Sequence, residues 1–169
     1  MSLTKVSDNM RDTTTLDATK LSGNLPAISG SSLTGVGKVL QVVFDSTTSG
    51  TSHSTSTFVD VGLSVSITPS STISKIYISG SANANKNGAF GIQFSVKLLR
   101  DSTTLLTVSD VPRSQDNYNG FDAHGVAIAY LDSPSSTSAL TYKIQMNCPG
   151  SNTHGLGVFS YITAMEIAN

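Results

Sequence analysis

The sequence has no tryptophan, one cysteine and few charges: 12% of its 169 residues are Asp, Glu, Lys or Arg, against roughly 25% in an average soluble domain. Each shortage excludes something. Cys148 stands alone, so no intrachain disulfide framework exists. Only His154 lies near it, so it reads as a small structural thiol rather than a nucleophile. Without Trp, and with aromatics at 7%, no aromatic-lined sugar platform stands out. A net charge of −1 gives no electrostatic footprint for nucleic acid or an anionic membrane. No apolar run approaches the ~20 residues of a membrane span, which speaks against membrane insertion. The start, MSLTKVSDNMRDTTT, has no apolar core of signal-peptide length. The expected route out of a cell is therefore as part of something larger, or by lysis.

Ser, Thr, Gly and Asn fill the space that charges leave, and they are distributed unevenly. From Leu21 to Gly37 the chain reads LSGNLPAISGSSLTGVG, in which Leu21-Ser22-Gly23, Ile28-Ser29-Gly30 and Leu33-Thr34-Gly35 form an irregular repeat. Glycines and Pro26 break any helix or long strand. Leu16, Leu21, Leu25, Ile28, Leu33 and Val36 nonetheless recur too steadily for a solvated linker. One copy has nothing nearby in sequence to cover them. Several copies wound about one axis would bury them against each other, at about 1.5–3 kcal/mol for each fully buried Leu or Ile. Ahead of this stretch Val6 and Met10 share a face of a short helix capped by Ser7, or sit on an extended arm. Either form suits attachment to another protein.

From Lys38 the period changes to two. KVLQVVF, Lys38 to Phe44, is apolar on both faces apart from Gln41, which predicts a strand in a sheet interior or at an interface. Asp45 to Thr55 reads as a loop and Thr57 to Val61 as a short strand. Leu63 to Thr68 alternates most clearly, with Leu63, Val65 and Ile67 facing in. Ile73 to Ala82 follows, then Asn83 to Gly88 as a hairpin-type turn. Phe90 to Leu99 and Thr103 to Val108 pair about a tight turn at Arg100-Asp101-Ser102. Pro112 to Ala123 is the longest polar loop. Val126 to Leu131, Leu140 to Met146 and Val158 to Ile167 complete about nine strands with no convincing helix among them. The expected fold is all-β: an antiparallel β-sandwich of jelly-roll type over residues 38–169, preceded by an attachment peg and shaft segment over residues 1–37.

No catalytic constellation emerges, and the chain is expected not to be an enzyme. The acids are thinly spread, and Asp116 and Asp122 in one loop read as solvated rather than as a glycosidase pair. His53, His124 and His154 lack metal-type spacing. A metal would need three copies of one His about a trimer axis, and no metal or other cofactor is expected. No Ser sits in a G-x-S-x-G elbow. The loops remain. Asn117, Tyr118, Asn119 and Phe121 set two aromatics among small polar groups, the composition of adaptable contact loops and also of ordinary sandwich turns.

Thr14 to Val43, TTLDATKLSGNLPAISGSSLTGVGKVLQVV, resembles the shaft-to-head junction of tailed-bacteriophage fibre and virion appendage proteins. Gly62 to Ile76, GLSVSITPSSTISKI, and Phe94 to Asp101, FSVKLLRD, resemble later strands of the same group. The resemblance implies a homotrimer located in the virion and made in the host cytoplasm. Its intertwined N-terminal shaft would contact other virion proteins, and its β-sandwich head would bind a host-surface glycan or protein. Such proteins usually carry a longer particle-binding region before this junction, so either a short, self-contained appendage or attachment through a minimal N-terminal peg is expected here. A capsid or tail decoration protein without a receptor role is the alternative.

Overall fold

The computed structural model describes residues 39–47, 51–53, 55–87, 94–111, 123–147, 153–156 and 159–168. All belong to the unit Gly37–Asn169. The N-terminal residues, with Val6, Met10 and the aliphatic repeat, lie outside the described residues.

The described residues form ten strands: β1 (Val39–Thr47), β2 (Thr51–His53), β3 (Val59–Ile67), β4 (Lys75–Asn87), β5 (Phe94–Arg100), β6 (Thr103–Val111), β7 (Ala123–Asp132), β8 (Leu140–Asn147), β9 (Thr153–Leu156) and β10 (Ser160–Ile167). The pairing is nested. β1 pairs with β10, β3 with β8, β4 with β7 and β5 with β6, all antiparallel. The chain is thus one long antiparallel ribbon folded back at the β5–β6 turn. Rolling that ribbon adds β10 beside β4 and β5 beside β8. Sheet A then runs β1-β10-β4-β7, with β9 and β2 extending its far end, and sheet B runs β3-β8-β5-β6. This is the jelly roll the alternation predicts.

Alternation decides the interior. Val61, Leu63, Val65 and Ile67 of β3 meet Ile76 and Ile78 of β4, Phe94, Val96 and Leu98 of β5, Ile144 of β8 and Ile162 of β10 in one buried core. Period-two side chains can line only one face of each sheet, so the two inner faces supply the core.

The structure differs from the sequence reading at several joints. The strands expected at Thr57–Val61 and Leu63–Thr68 are one strand, β3. A bulge lies between Asp60 and Ser64, with Gly62 at φ 82°. Glycine takes that angle without the penalty a Cβ carries. Asp45 to Thr47 continue β1, and Thr51–His53 form β2, where a loop was expected. Asn83 to Asn87 form not a turn but the end of β4, paired with β7 on one side and β9 on the other. Ladder bonds on both sides override the weak strand preference of Asn. β1 lies at a sheet edge rather than in an interior: among the described residues it pairs with β10 alone.

Gly80 sits mid-sheet between Ile162 of β10 and Ile128 of β7. A Cβ there would lie 2.7 Å from the Tyr161 carbonyl oxygen, a backbone atom held by the ladder. Gly80→Ala is expected to lower stability by about 1–3 kcal/mol, since overpacking forces a backbone shift. Thermal unfolding of the two proteins side by side checks it, and an unchanged midpoint would mean β4 and β10 separate freely.

Candidate functional site

The nested topology sorts the connections to two ends of the sandwich. At one end lie the start of β1 at Val39, the β3–β4 turn, the Asp101-Ser102 hairpin and the end of β10, as Val39 pairing with Ile167 and Ile167 with Lys75 shows. The other end collects Asn87, Phe94, Val111, Ala123, Asn147 and Thr153. Phe94 is opposite Val111, Ser95 opposite Asn147, Asn85 opposite Ala123 and Asn87 opposite Thr153. β4 spans both ends, roughly 40 Å at a strand's rise per residue. The loop that holds Asn117, Tyr118, Asn119 and Phe121 therefore joins strand ends at the end away from Val39. Those four residues lie outside the described residues, as do Leu16, Leu21, Leu25, Ile28, Leu33 and Val36 of the repeat, and Cys148.

The sequence reading missed the outer surface of sheet A as a unit. Register places Val42, Met165, Tyr77 and Leu131 in one row across all four strands. The next rows are Phe44, Thr163, Ser79, Ala129 and Ser46, Tyr161, Ser81, Ala127. Leu40, Val42, Phe44, Leu131 and Phe159 are each at least half exposed, with Phe159 at 78%. Phe44 and Tyr161 stack with ring centres 6.2 Å apart. With Phe159, Ser46, Thr47 and Ser160 they line an apolar depression of about 310 Å³. Phe159 has φ 69°, a left-handed backbone that bulky residues rarely adopt. Two bonds hold it there: its N–H donates to the Thr47 carbonyl at 3.2 Å, and its carbonyl accepts from Asn83 Nδ2 at 3.0 Å. The legible signal was the two-sided apolar pattern of KVLQVVF together with the stripe Phe159, Tyr161, Met165 and Ile167.

The outer surface of sheet B is chemically opposite. Asp60, Ser64, Ser66, Lys143, Gln145 and Lys97 line it. Lys143 Nζ and Gln145 Nε2 donate to the Asp60 carboxylate at 2.9 and 2.8 Å. Those two hydrogen bonds, Lys143's first, hold Asp60 below the usual carboxylate range. Lys97 Nζ lies 3.8 Å over the Phe58 ring.

Two buried polar clusters close the end where β1 starts. Glu166 is fully buried; it accepts from Gln41 Nε2 at 2.6 Å, Ser70 N–H at 2.7 Å and Ser70 Oγ at 2.6 Å. Burial alone would push its carboxyl up; bonds from Ser70, Gln41 and Ser74 more than reverse that, to about 2. Gln41 also donates to the Thr68 carbonyl at 2.7 Å, tying β1 to the β3–β4 turn. Between the sheets, Arg100 Nη1 lies 2.9 and 2.7 Å from the Asp132 oxygens, and the Tyr142 hydroxyl donates to Asp132 Oδ2 at 2.7 Å. Burial, then Asp132 beside it, pushes the Tyr142 hydroxyl up. Burial works against the Arg100 charge, but Asp132 outweighs it and keeps the guanidinium protonated.

These acids are engaged by neighbouring donors. That is the arrangement of structural links rather than of a paired acid and base. His53 and His154 are register partners on β2 and β9, and His124 is opposite Ala84 on β7. Among the described residues no group of three or more His, Cys, Asp or Glu gathers to hold a metal ion. No described helix is long and apolar enough to cross a membrane.

No protein-family model matches the chain, and no curated protein does. Solved structures do. The chain is similar to the VP2 subviral particle protein of infectious bursal disease virus at 14% identity and TM-score 0.45, over 75% of this chain and 32% of that one. The Gt strain of the same virus gives 11% identity and TM-score 0.47, over 75% and 33%. Latent PorU from Porphyromonas gingivalis gives 11% and 0.37, over 70% and 12%. The chain thus spans about a third of the viral proteins it matches. Identities this low concern backbone architecture alone; the jelly-roll assignment rests on the nested strand pairing.

Proposed function

We propose that this chain is a structural protein of a bacteriophage virion, a trimeric tail fibre or appendage whose head contacts the host cell surface. In this reading Leu16, Leu21, Leu25, Ile28, Leu33 and Val36 form the shaft with two further copies. Val6 and Met10 seat the N-terminus on other virion proteins. The loop with Asn117, Tyr118, Asn119 and Phe121 meets a host glycan or protein. The chain needs no cofactor and catalyses no reaction.

The observation that carries the reading is the polarity of the head. The segment that resembles a fibre junction runs into β1 at one end of the jelly roll, while the strand ends Val111 and Ala123, which bear the loop with Tyr118 and Phe121, lie at the other. A head mounted by its base and presenting loops at its tip is what adhesion requires. Light scattering on the purified chain is expected to give three times the 17.6 kDa of one copy. Replacing Tyr118 and Phe121 with Ser is expected to reduce adsorption of the particle, or of the free protein, to host cells. A stable monomer removes the fibre reading. Unchanged adsorption removes that loop from the receptor contact and favours the decoration alternative, in which copies follow capsid rather than tail symmetry.

A further inference from the structure

We infer that the outer face of sheet A is the surface through which three heads pack on one another about a common axis. The inference rests on the trimer proposed above and names the part of the head that makes it.

Four observations meet there. First, the face is apolar where a solvated sheet would be polar: Leu40, Val42, Phe44, Tyr161 and Leu131 are all substantially exposed in a single copy. A contiguous patch of that kind marks an interaction surface. Second, the same sandwich shows what a solvated outer face looks like. Sheet B carries Asp60, Lys143, Gln145 and Lys97 on its outer face. Third, the occupant is indicated by charge. Among the described residues, the four-strand outer rows of sheet A carry no charged side chain, and Lys75 lies beyond them at the extreme end, opposite Ile167. A nucleic acid or anionic membrane would require basic residues there, whereas an identical uncharged face meets no repulsion. Fourth, β1 follows the repeat directly in sequence. Only Gly37 and Lys38 separate Val36, the last aliphatic residue of the repeat, from Val39 at the start of β1. Chains brought together up to Val36 deliver three copies of β1, with Leu40, Val42 and Phe44, to one place. The depression between Phe44, Phe159 and Tyr161 then receives apolar side chains of a neighbour.

Cysteine labelling of the full-length chain tests this in a Cys148→Ser background. Val42→Cys places a thiol in the apolar row, and Thr107→Cys places one on exposed β6 of sheet B. In the assembled protein the thiol at position 42 is expected to react with a maleimide at least about tenfold more slowly than the one at 107, because interface cores exclude solvent. In the Leu21→Ser, Leu25→Ser, Ile28→Ser chain, if it is monomeric, the two rates should converge. Should the position-42 variant fail to fold, Leu131→Cys at the other end of the same row serves in its place. A trimer with equal rates at both positions overturns the assignment of this face and leaves the trimer intact. An unsubstituted chain that is monomeric by light scattering overturns the trimer reading itself. A slow thiol at position 42 in that monomer overturns the inference as well, since the chain would then cover its own face.

Discussion

Asp132→Ala is expected to lower the unfolding free energy of the head by about 3–5 kcal/mol, the range found when one partner of a buried ion pair is removed. Asp132 accepts from two donors that come from the opposite sheet. Arg100 reaches it from the end of β5 and Tyr142 from the start of β8, while Asp132 itself ends β7. The carboxylate side chain is 8% exposed and the arginine 24%. Removing the acid strands a guanidinium that is largely out of water and a buried phenol, so the loss exceeds that of one neutral hydrogen bond. Urea unfolding of the full chain measures it. Asp132→Asn, which keeps one acceptor but no charge, should fall between the two. A loss under about 1 kcal/mol in the Ala variant would mean that water satisfies Arg100 as well as Asp132 does, as at a surface pair.

Acidification should remove stability through Glu166. Its folded-state pKa, about 2, lies below the ordinary value of 4.5. The folded state therefore holds the carboxylate form more tightly than the unfolded chain does. The resulting stabilisation is fully present above about pH 4.5 and is lost as pH falls toward 2. It amounts to something on the order of 3 kcal/mol. The donors explain why: Ser70 and Gln41 aim three hydrogens at the two oxygens, and protonation turns one acceptor into a competing donor. Other carboxylates titrate in the same range, so the informative quantity is a difference. Urea midpoints of the unsubstituted chain and of Glu166→Gln, compared at pH 7 and pH 3, should converge as the pH drops. Parallel pH profiles would assign the acid sensitivity elsewhere, Asp60 first.

The strand pattern was open to reading where burial and alternation coincide. Leu63, Val65 and Ile67, and Phe94, Val96 and Leu98, are apolar at every second position because one face of each strand is core and the other is water. The reading failed where pairing, not side-chain burial, decides the conformation. Asn83 to Asn87 look like a turn and form a strand because β7 and β9 offer ladders on both sides. β2 and β9 are too short to show a period. The last strand is the instructive case. Its stripe Tyr161, Met165 and Ile167 is more apolar than the alternate positions, which include Glu166. Yet Ser160, Ile162, Ala164 and Glu166 face inward. Glu166 is accommodated by donors from Gln41, Ser70 and Ser74, distant in sequence, and nothing local announces them.

The candidate contact residues divide in the same way. Tyr118 and Phe121 could be picked from composition, as rigid aromatics in a polar loop. That their loop springs from the end of the sandwich remote from Val39 follows from the nesting of β1 with β10 and β4 with β7. By itself, the order of residues determined an all-β chain with an aliphatic, glycine-punctuated segment before it, because period, turn residues and composition are local properties. Only the tertiary structure decided which apolar residues are core and which form an outer face. Val42, Met165, Tyr77 and Leu131 are far apart along the chain, and they become one row through the register of four strands. Register is a property of pairing, which no single strand encodes.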